Sequence, residues 1–336
     1  MTARLTVTIT EIARRAGVNK STVSRALSGS SEVGGDTIAR IRSIAEDLGY
    51  MRDHAAASLR TGRSGALGVL VPRVTDYVLA SIYEGVTQVA HAAGYATLVS
   101  DTEDDPQLRM SQLQTLLARR VEGFVICDAR LDGDEVVATL ERRRHPYVLA
   151  NRRLHGQPGV TTDDVAGGRL AGSHLHSLGH RRVGVLAGPE FTSTGVERAF
   201  GFADAFRAAG VLTDPRLVVS SSNSAEGGYA AMRELLERDP RITGVFATND
   251  FAAIGAMGAA REAGRRVGGD LALVGYNDIP LAQYLPIPLT SVKSATVQMG
   301  ELAARQLLTM ILDENPDRSA ELLGPELVVR ESTMRA

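Results

Sequence analysis

The chain has little of the material that disulfide-rich or membrane proteins use. Its 336 residues include one cysteine and no tryptophan, and aromatic side chains make up 4% of the sequence. One cysteine excludes an internal disulfide framework, and Cys127 follows the apolar run Gly123–Ile126, which predicts a buried, inert thiol. There is no apolar run of about 18 residues and no basic start followed by an apolar stretch. We therefore expect a cytoplasmic protein without a membrane partner.

The sequence also lacks the short motifs of common enzyme classes. It has no nucleophile-elbow serine, no Walker loop and no zinc-ligand spacing. The closest group of histidines is His174, His176 and His180. Residues two apart on a helix do not share a face, so this group indicates a helix surface rather than a metal site. We expect neither an enzyme nor a bound metal or cofactor.

Net charge is small but unevenly distributed along the chain. The formal net charge is −2. Residues 1–63 hold ten basic and six acidic side chains, a balance of +4, so the rest of the chain carries −6. A basic head on an acidic body is suited to binding phosphate groups. The asymmetry favours a nucleic-acid-binding head, and the motifs within the head bear on that interpretation.

The head begins with the pattern of a short, capped helix. Thr8 to Glu11 has the form of a capping box, in which the Thr8 hydroxyl accepts from the backbone N–H of Glu11. The helix then runs to Ala16. Gly17 ends it, because glycine tolerates the left-handed conformation that closes many helices.

A second helix follows immediately and makes the pair a helix-turn-helix. Asn19 is a good N-cap for the helix Lys20–Leu27, whose buried face holds Val23 and Leu27. The positions near its start or on its outer face are Lys20, Ser21, Thr22, Ser24 and Arg25. In such motifs the first residues of the second helix contact base edges in the major groove. We therefore predict that this helix reads DNA.

Two further segments complete the head. A third helix, Thr37–Leu48, has its apolar residues spaced to pack inward, which leaves open a generic three-helix bundle with solvated surface charges. The segment Asp53–Arg60 spans about two helical turns, too few for a stable isolated helix, so it would form only against a partner. Such a segment suits a DNA-coupled hinge, and Thr61–Gly65 has the composition of a flexible linker.

The order of these motifs resembles the lactose-repressor (LacI/GalR) family. The matching runs are Val7–Ala13, Ala16–Val18, Ser21–Leu27 and Ala56–Ser64 in the head, and Gly179–Val183, Arg198–Phe202, Thr248–Asp250, Val274–Asp278 and Pro288–Val292 in the body. Because these runs occur in the family's order and span the whole chain, the resemblance covers both head and body.

The resemblance implies roles for particular head residues. The DNA-contacting positions are Thr8, Asn19, Lys20, Ser21, Thr22, Ser24 and Arg25, with Lys20 and Ser21 at the positions that choose bases. Leu59 matches the hinge leucine that wedges into the minor groove at the centre of a palindromic operator, and such wedges kink the duplex. Two departures affect the hinge, since Arg52-Asp53 replaces the usual Pro-Asn and Ala57 replaces a usual arginine.

The body has the alternation of strands and helices that builds parallel sheets. With 44% hydrophobic residues, the chain can bury the cores of two or three domains. We predict eight buried strands: 67–72, 95–99, 123–127, 147–150, 183–187, 217–220, 244–247 and 271–275. The arrangement of residues 67–150 recurs in 183–290, which indicates two similar lobes, and ligands of such sheets bind at the carboxyl ends of strands.

The expected fold is therefore an all-α helix-turn-helix head joined to an α/β, two-lobed body like that of periplasmic binding proteins. The resemblance implies three crossovers between the lobes, near residues 161–164, 289–294 and 323–325. The expected boundaries are residues 6–52 for the head, 53–65 for hinge and linker, and 66–336 for the body. Within the body we assign 66–162 and 293–322 to the N-lobe, and 163–292 and 323–336 to the C-lobe.

The family's effector pocket maps onto eight residues of the body. They are Val78, Leu79, Asp101, Asn151, Arg198, Asn223, Asn249 and Asn277. Arg198 matches the family's effector-binding arginine, whose fork holds a hydroxyl pair or a carboxylate, although a helix-surface arginine is the alternative. Asn249 can donate and accept, or it can simply cap a helix. Asp101 is alternatively an ordinary loop residue.

Two of these positions bear on the chemistry of the effector. Asn151 and Asn277 stand where family members usually carry aspartates, so two acceptor-only carboxylates are absent. The expected effector is thus a sugar-like molecule or an anion such as an acidic or phosphorylated sugar.

The sequence as a whole predicts a transcription regulator, with repression the expected mode. It would bind double-stranded, palindromic operator DNA as a homodimer, under control of a small-molecule effector in the cleft between lobes. The rival interpretation is a solute-binding protein without a DNA role, which would need a secretion signal and would not carry the head.

Overall fold

The structure is a computed structural model that describes residues 7–27, 32–50, 64–313 and 316–334. The chain divides into two compact units, Met1–Ser64 and Gly65–Ala336. We call the first unit the head and the second unit the body. Within the described residues, none of the helices combines the length and apolar character needed to cross a bilayer.

The described part of the head holds three helices around a small apolar core. They are α1 (Ile9–Ala16), α2 (Lys20–Leu27) and α3 (Gly35–Asp47). Gly17 ends α1 in the left-handed region at φ 65° and turns the chain into α2. The fully buried side chains come from all three helices and are Ile12, Ala13, Ala16, Val23, Ala26, Ile41 and Ala45. This packing fixes α2 against α1 and α3 and leaves its other face to solvent.

Two details of the head differ from the sequence prediction. Thr8 is the N-cap of α1, but its side chain makes no capping hydrogen bond. The Glu11 carboxylate accepts instead from Arg14 Nη2 at 2.6 Å, so it does not reach back to the cap. In α2, Ala26 is fully buried with Val23, whereas Leu27 is only half-buried.

The described part of the body contains two sheets of six strands. The first sheet has the order β11-β5-β4-β3-β1-β2 and the second β12-β10-β9-β8-β6-β7. The strands are β1 (Ala66–Val71), β2 (Ala96–Asp101), β3 (Gly123–Ile126), β4 (Tyr147–Ala150), β5 (Gly159–Thr162), β6 (Val183–Ala187), β7 (Val218–Ser220), β8 (Gly244–Ala247), β9 (Ala272–Asn277), β10 (Thr290–Lys293), β11 (Ala320–Leu323) and β12 (Glu326–Val328). Every pairing is parallel except that of β10 with β12.

Eight α-helices in the described part of the body pack against these sheets. They are α4 (Tyr77–Ala92), α5 (Pro106–Ala118), α6 (Glu135–Arg142), α7 (Asp164–Ser177), α8 (Ser193–Ala208), α9 (Ala225–Arg238), α10 (Asp250–Glu262) and α11 (Thr296–Leu312). Side-chain caps such as Asp76, Asp105 and Thr192 set the starts of these helices.

The two sheets form two lobes between which the chain passes three times. The passages follow β5, β10 and β11. Each of these strands belongs to one sheet, and the element that follows it in the chain packs on or belongs to the other sheet. The head of three helices and the two-lobed α/β body confirm the predicted fold class. Because the strands of each sheet are almost all parallel, their carboxyl ends gather at one edge, where α/β proteins bind ligands.

Pairs of helices pack closely through glycine in both lobes. A Cβ on Gly168 of α7 would overlap the carbonyl oxygen of Arg198 in α8, and a Cβ on Gly201 would overlap that of Val165. Gly85 of α4 makes an equivalent approach to α11. The α7–α8 contact matters for function because it fixes the backbone from which the Arg198 side chain extends.

Candidate functional site

The outer face of α2 carries the residues predicted to read DNA. Asn19, Lys20, Ser21 and Arg25 are exposed, and Thr22 and Ser24 are half-buried at the margin of the same face. Thr8, before α1, is exposed as well. The helix therefore presents donors and acceptors to solvent while Val23 and Ala26 hold it to the core.

One contact qualifies this face. Arg25 pairs with Glu32 at 3.3 Å, so its guanidinium is oriented by a neighbouring carboxylate.

The predicted hinge, with Leu59 and the Arg52-Asp53 and Ala57 departures, lies outside the described residues. The wedge role of Leu59 therefore stays a prediction.

In the body, the carboxyl ends of strands from both sheets face one another across a cleft. The lobes touch there directly: the Leu131 backbone N–H donates to the Phe191 carbonyl at 2.8 Å. The Arg153 backbone N–H donates to Ser193 Oγ at 2.9 Å. Arg153 Nε also bonds Glu197 Oε1 at 2.8 Å. We call these contacts the interlobe clasp, and they place the start of α8 against the first lobe.

Arg198 is a buried cation of this cleft and has three partners. Its Nε donates to Asp164 Oδ1 at 2.8 Å, and its Nη1 donates to the Thr248 carbonyl at 2.8 Å. Its guanidinium carbon lies 3.7 Å from the centroid of the Tyr276 ring, a cation–π distance. Three elements, α7, β8 and β9, therefore hold the side chain in one position.

Asp164 is the residue that sequence analysis missed in this site. It follows β5 at the first crossover and is 2% exposed. Burial raises the pKa of its carboxyl while the Arg198 charge lowers it. The same carboxylate, together with burial, raises the pKa of the Tyr276 phenol well above its usual value. The position of Asp164, two residues after a strand and at the start of a helix, was a signal that could have revealed it.

Asn249 acts as a helix cap in the structure. Its Oδ1 accepts from the backbone N–H groups of Phe251 at 2.8 Å and Ala252 at 3.3 Å. The neighbouring Asp250 is fully buried, and burial raises its pKa to about 7. Asp250 accepts from Ser291 Oγ at 2.6 Å and from the Ile279 N–H at 2.8 Å. These bonds tie α10 to the ends of β9 and β10.

The other predicted polar residues sit at strand ends with local partners. Asn151 follows β4 in the left-handed region at φ 64°, and Asn277 ends β9 at φ 102°, where it is buried and accepts from Ser294 Oγ at 3.4 Å. Asp101 ends β2 and accepts from the Val74 N–H at 2.9 Å. This bond holds the loop before α4, as expected if Asp101 is an ordinary loop residue. All three lie at the edge where the lobes meet.

The remaining predicted residues offer less to a ligand in this conformation. Val78 and Leu79, in the first turn of α4, are 5% and 3% exposed and belong to the apolar core. Asn223 lies between β7 and α9, is half-buried, and approaches Gly188 through its side-chain oxygen. Asp76, the cap of α4, is closer to the cleft charges, since Arg152 and Arg198 both act on its pKa, which burial raises.

Most other charges near the cleft are paired within the first lobe. Arg152 forms a two-bonded pair with Asp104 at 2.6 and 2.8 Å. Asp128, after β3, accepts from Arg109 Nε at 3.0 Å and from Thr102 Oγ1 at 2.6 Å. Neither the Arg152 charge nor the Asp128 charge is left uncompensated. Across the residues that the structure describes, no group of three or more His, Cys, Asp or Glu side chains has the arrangement to hold a metal ion.

The cleft can therefore bind by directed hydrogen bonds rather than by net charge. Arg198 supplies donors whose positive charge is balanced by Asp164, and carboxylate and amide oxygens around it supply acceptors. Paired donors and acceptors suit a polyhydroxylated molecule.

Comparisons with known proteins extend over both units. The model of bacterial regulatory proteins of the lacI family matches residues 8–53, and that of a periplasmic binding protein-like domain matches residues 173–333. The HTH-type transcriptional regulator CelR of Thermobifida fusca is 34% identical over 99% of this chain and 100% of its own.

Two solved structures share the fold over nearly the full length. A complex of the transcriptional regulator CelR with cellobiose is 31% identical, covers 97% of this chain and 99% of its own, and has a TM-score of 0.76. The lac repressor dimer bound to operator and the anti-inducer ONPF is 26% identical, covers 98% of this chain and 99% of its own, and has a TM-score of 0.88. With the head, the two-lobed body and the full-length match to CelR in agreement, the chain belongs to the lacI family of bacterial regulatory proteins.

Proposed function

We propose that this protein is a transcriptional repressor of the lacI family that binds a palindromic operator as a homodimer. A neutral, polyhydroxylated effector bound between the lobes would control its affinity for DNA. The boundaries that go with this proposal are a head of residues 6–52, a hinge and linker of 53–65, and an effector-binding body of 66–336.

The observation that carries the proposal is the charge-compensated Arg198 in the cleft. A buried guanidinium that already has a carboxylate partner has less attraction for an anion, and a second negative group would meet Asp164 at short range. Sugar hydroxyls can instead donate to the carboxylate and accept from the guanidinium. Of the two effector classes that the sequence left open, the pairing with Asp164 favours the neutral sugar.

The relatives support the same class of effector. One solved relative is a cellobiose complex of CelR, and the curated CelR chain matches this protein over its full length. Cellobiose is therefore the first ligand to test.

A homodimer is supported by the exposed apolar side chains on one face of the first lobe. Val74 and Tyr77, beside α4, are 45% and 46% exposed, and Val99 on the edge strand β2 is 41% exposed. An exposed edge strand with apolar residues needs cover. A second copy of the chain provides it symmetrically, and a two-fold dimer matches the two half-sites of a palindrome.

Two experiments test the proposal with the full chain. Duplexes selected from a random library should be palindromic, and removal of residues 1–64 should abolish their specific binding in a gel shift. Persistence of specific binding after the truncation would reject the head as the DNA reader.

Isothermal titration tests the effector class separately. Cellobiose and other neutral saccharides should bind, whereas their phosphorylated and acidic analogues should bind at least about tenfold more weakly. Tighter binding of the anionic analogues would overturn the neutral-effector proposal and restore the anionic alternative.

A further inference from the structure

A basic edge of the first lobe has no part in the function proposed so far. The edge is formed by two turns that lead into neighbouring strands, α5 to β3 and α6 to β4. Its exposed arginines are Arg119, Arg120, Arg142, Arg143 and Arg144. We call this group the basic edge, and it stands out because the chain beyond residue 63 carries a net charge of −6.

The strand pairing brings the two turns together. β3 and β4 are parallel neighbours with Phe124 opposite Tyr147, and the Phe124 N–H donates to the Pro146 carbonyl at 3.0 Å. The residues just before each strand therefore lie side by side. Positive side chains are thus concentrated on one small surface.

The acidic residues of these turns are engaged with the protein. Glu122 accepts from the Gly65 N–H at 2.7 Å and from the Tyr95 hydroxyl at 3.2 Å. Glu141 accepts from the Tyr147 hydroxyl at 3.1 Å. Within the described residues of the body, the side chains of Arg119, Arg120, Arg143 and Arg144 form no ion pair, so their charges are directed to solvent.

A second observation concerns the backbone of the same turns. Arg120 and Arg144 have φ angles of 57° and 52°, in the left-handed region that disfavours side chains with a Cβ. Four equivalent helix-to-strand turns of the body use Gly94, Gly179, Gly210 and Gly264 at this position. Arginine at two such positions keeps a strained conformation that glycine would relieve, and strain of this kind is typical of functional sites.

The basic edge is also the edge at which the head joins the body. β1 begins at Ala66 and runs parallel to β3. The Ala66 carbonyl accepts from the Glu122 N–H at 2.8 Å. The connection from the head therefore enters the body beside these arginines.

We propose that the basic edge contacts the phosphate backbone of DNA that the head has bound, which adds affinity without adding sequence preference. This inference rests on the proposed function. Duplex DNA carries one negative charge per about 1.7 Å of its axis, and guanidinium groups bind phosphates with paired hydrogen bonds. Each phosphate neutralised releases counterions, so the contact must appear in the salt dependence of binding.

The test uses the full chain and a fluorescein-labelled, mixed-sequence 40-base-pair duplex, with the dissociation constant measured by anisotropy over a series of KCl concentrations. Arg120→Gly/Arg144→Gly removes two charges and relieves the backbone strain. The slope of log K against log salt should become shallower by about 1.8 for each chain if both residues contact phosphate. Arg119→Gln/Arg143→Gln should add to this loss.

Two controls make the result decisive. Arg216→Gln/Arg233→Gln removes the same charge from exposed positions of the second lobe and should leave the slope unchanged. The melting temperature of Arg120→Gly/Arg144→Gly should equal or exceed that of the wild type, because glycine suits the left-handed positions.

Each other outcome has one meaning. A wild-type slope in the edge variants, or the same loss in the control, would overturn the inference. A lowered melting temperature with an unchanged slope would assign these arginines to stabilising helix ends instead. Failure of the wild-type chain to bind any duplex would refute the proposed function itself, so the two failures are distinguishable.

Discussion

Asp250 is a single residue whose ionisation is coupled to folding. Its pKa is raised to about 7 in the folded chain, against 3.8 as its ordinary value. Between these values the folded state keeps a proton that the unfolded state releases, so raising the pH favours unfolding. We expect stability to fall by about 1.4 kcal/mol per pH unit from this residue between pH 4 and 7, and to level off above pH 7.

Asp250→Asn should remove that contribution, because an amide keeps an acceptor for the Ile279 N–H and does not titrate. Urea unfolding at pH 4, 5, 6 and 7 measures the slope. The same change at exposed Asp47, in the head, should retain the wild-type slope. An Asp250→Asn slope equal to the wild type would show that Asp250 does not hold the proton.

The Arg198–Asp164 pair makes a second residue-scale prediction. Asp164→Asn leaves the buried guanidinium without its counter-charge, which typically destabilises by about 3–5 kcal/mol. Neutral saccharides should bind more weakly and anionic analogues more tightly than in the wild type. Thermal unfolding and calorimetric titration measure the two effects.

Asp204→Asn is the matched control for this change. Asp204 pairs with the half-exposed Arg169 on the same two helices, so its loss should cost less than about 1 kcal/mol. Equal destabilisation by the two variants would contradict the assignment of Asp164 to a special, buried pair.

At the scale of elements, the close packing of α7 on α8 is the feature that positions Arg198. Gly168→Ala would place a methyl group against the Arg198 carbonyl oxygen, where backbone rather than a mobile side chain must move. We expect a loss of about 1–3 kcal/mol and a weaker effector affinity, because the guanidinium would shift. Denaturant unfolding and ligand titration check both.

Gly258→Ala in α10 is the contrasting change. A Cβ there would make an ordinary contact with the Tyr229 ring at 3.5 Å. Since alanine favours a helix over glycine, this variant should gain about 0.5–1 kcal/mol. A similar loss in both variants would mean that the α7–α8 contact has more room than the structure shows.

The elements also show what the sequence could and could not predict. The eight predicted strands are present because each is an apolar run between turn residues. Four strands were missed, and they are β5, β10, β11 and β12. All four are short and lie at or next to the passages between lobes. Of these, β11 and β12 are largely exposed, so these two strands have no buried apolar run.

The candidate site was predictable where a motif marked a residue and not where a contact defined it. Arg198 was identified from its motif, but its neutralisation by Asp164 depends on α7 and α8 meeting at glycines far apart in sequence. Asn249 was given two roles, and the structure shows it capping α10. Such pairings are tertiary properties that no local pattern contains.

At the scale of the whole molecule, the interlobe clasp is the contact that ligand binding would exploit. Glu197→Gln weakens the Arg153–Glu197 pair, which is partly exposed, so the loss is about 0.4–1 kcal/mol. Because this pair exists only when the lobes touch, effector affinity should fall about two- to fivefold. Calorimetric titration measures the change.

Glu237→Gln is the corresponding control on α9, since Glu237 pairs with Arg233 in the same lobe. Effector affinity should be unchanged there. A wild-type affinity in Glu197→Gln would indicate that the clasp does not contribute to closure.

The last strands of the chain have a consequence for biosynthesis. β11 completes the first sheet beside β5, and β12 completes the second beside β10, while Ser332 bonds the backbone of Thr290 and Leu273. Neither lobe can close its sheet until residues 320–328 have been made. The body therefore reaches its native form only after residues 320–328 have left the ribosome, whereas the head, whose contacts are local, can fold long before.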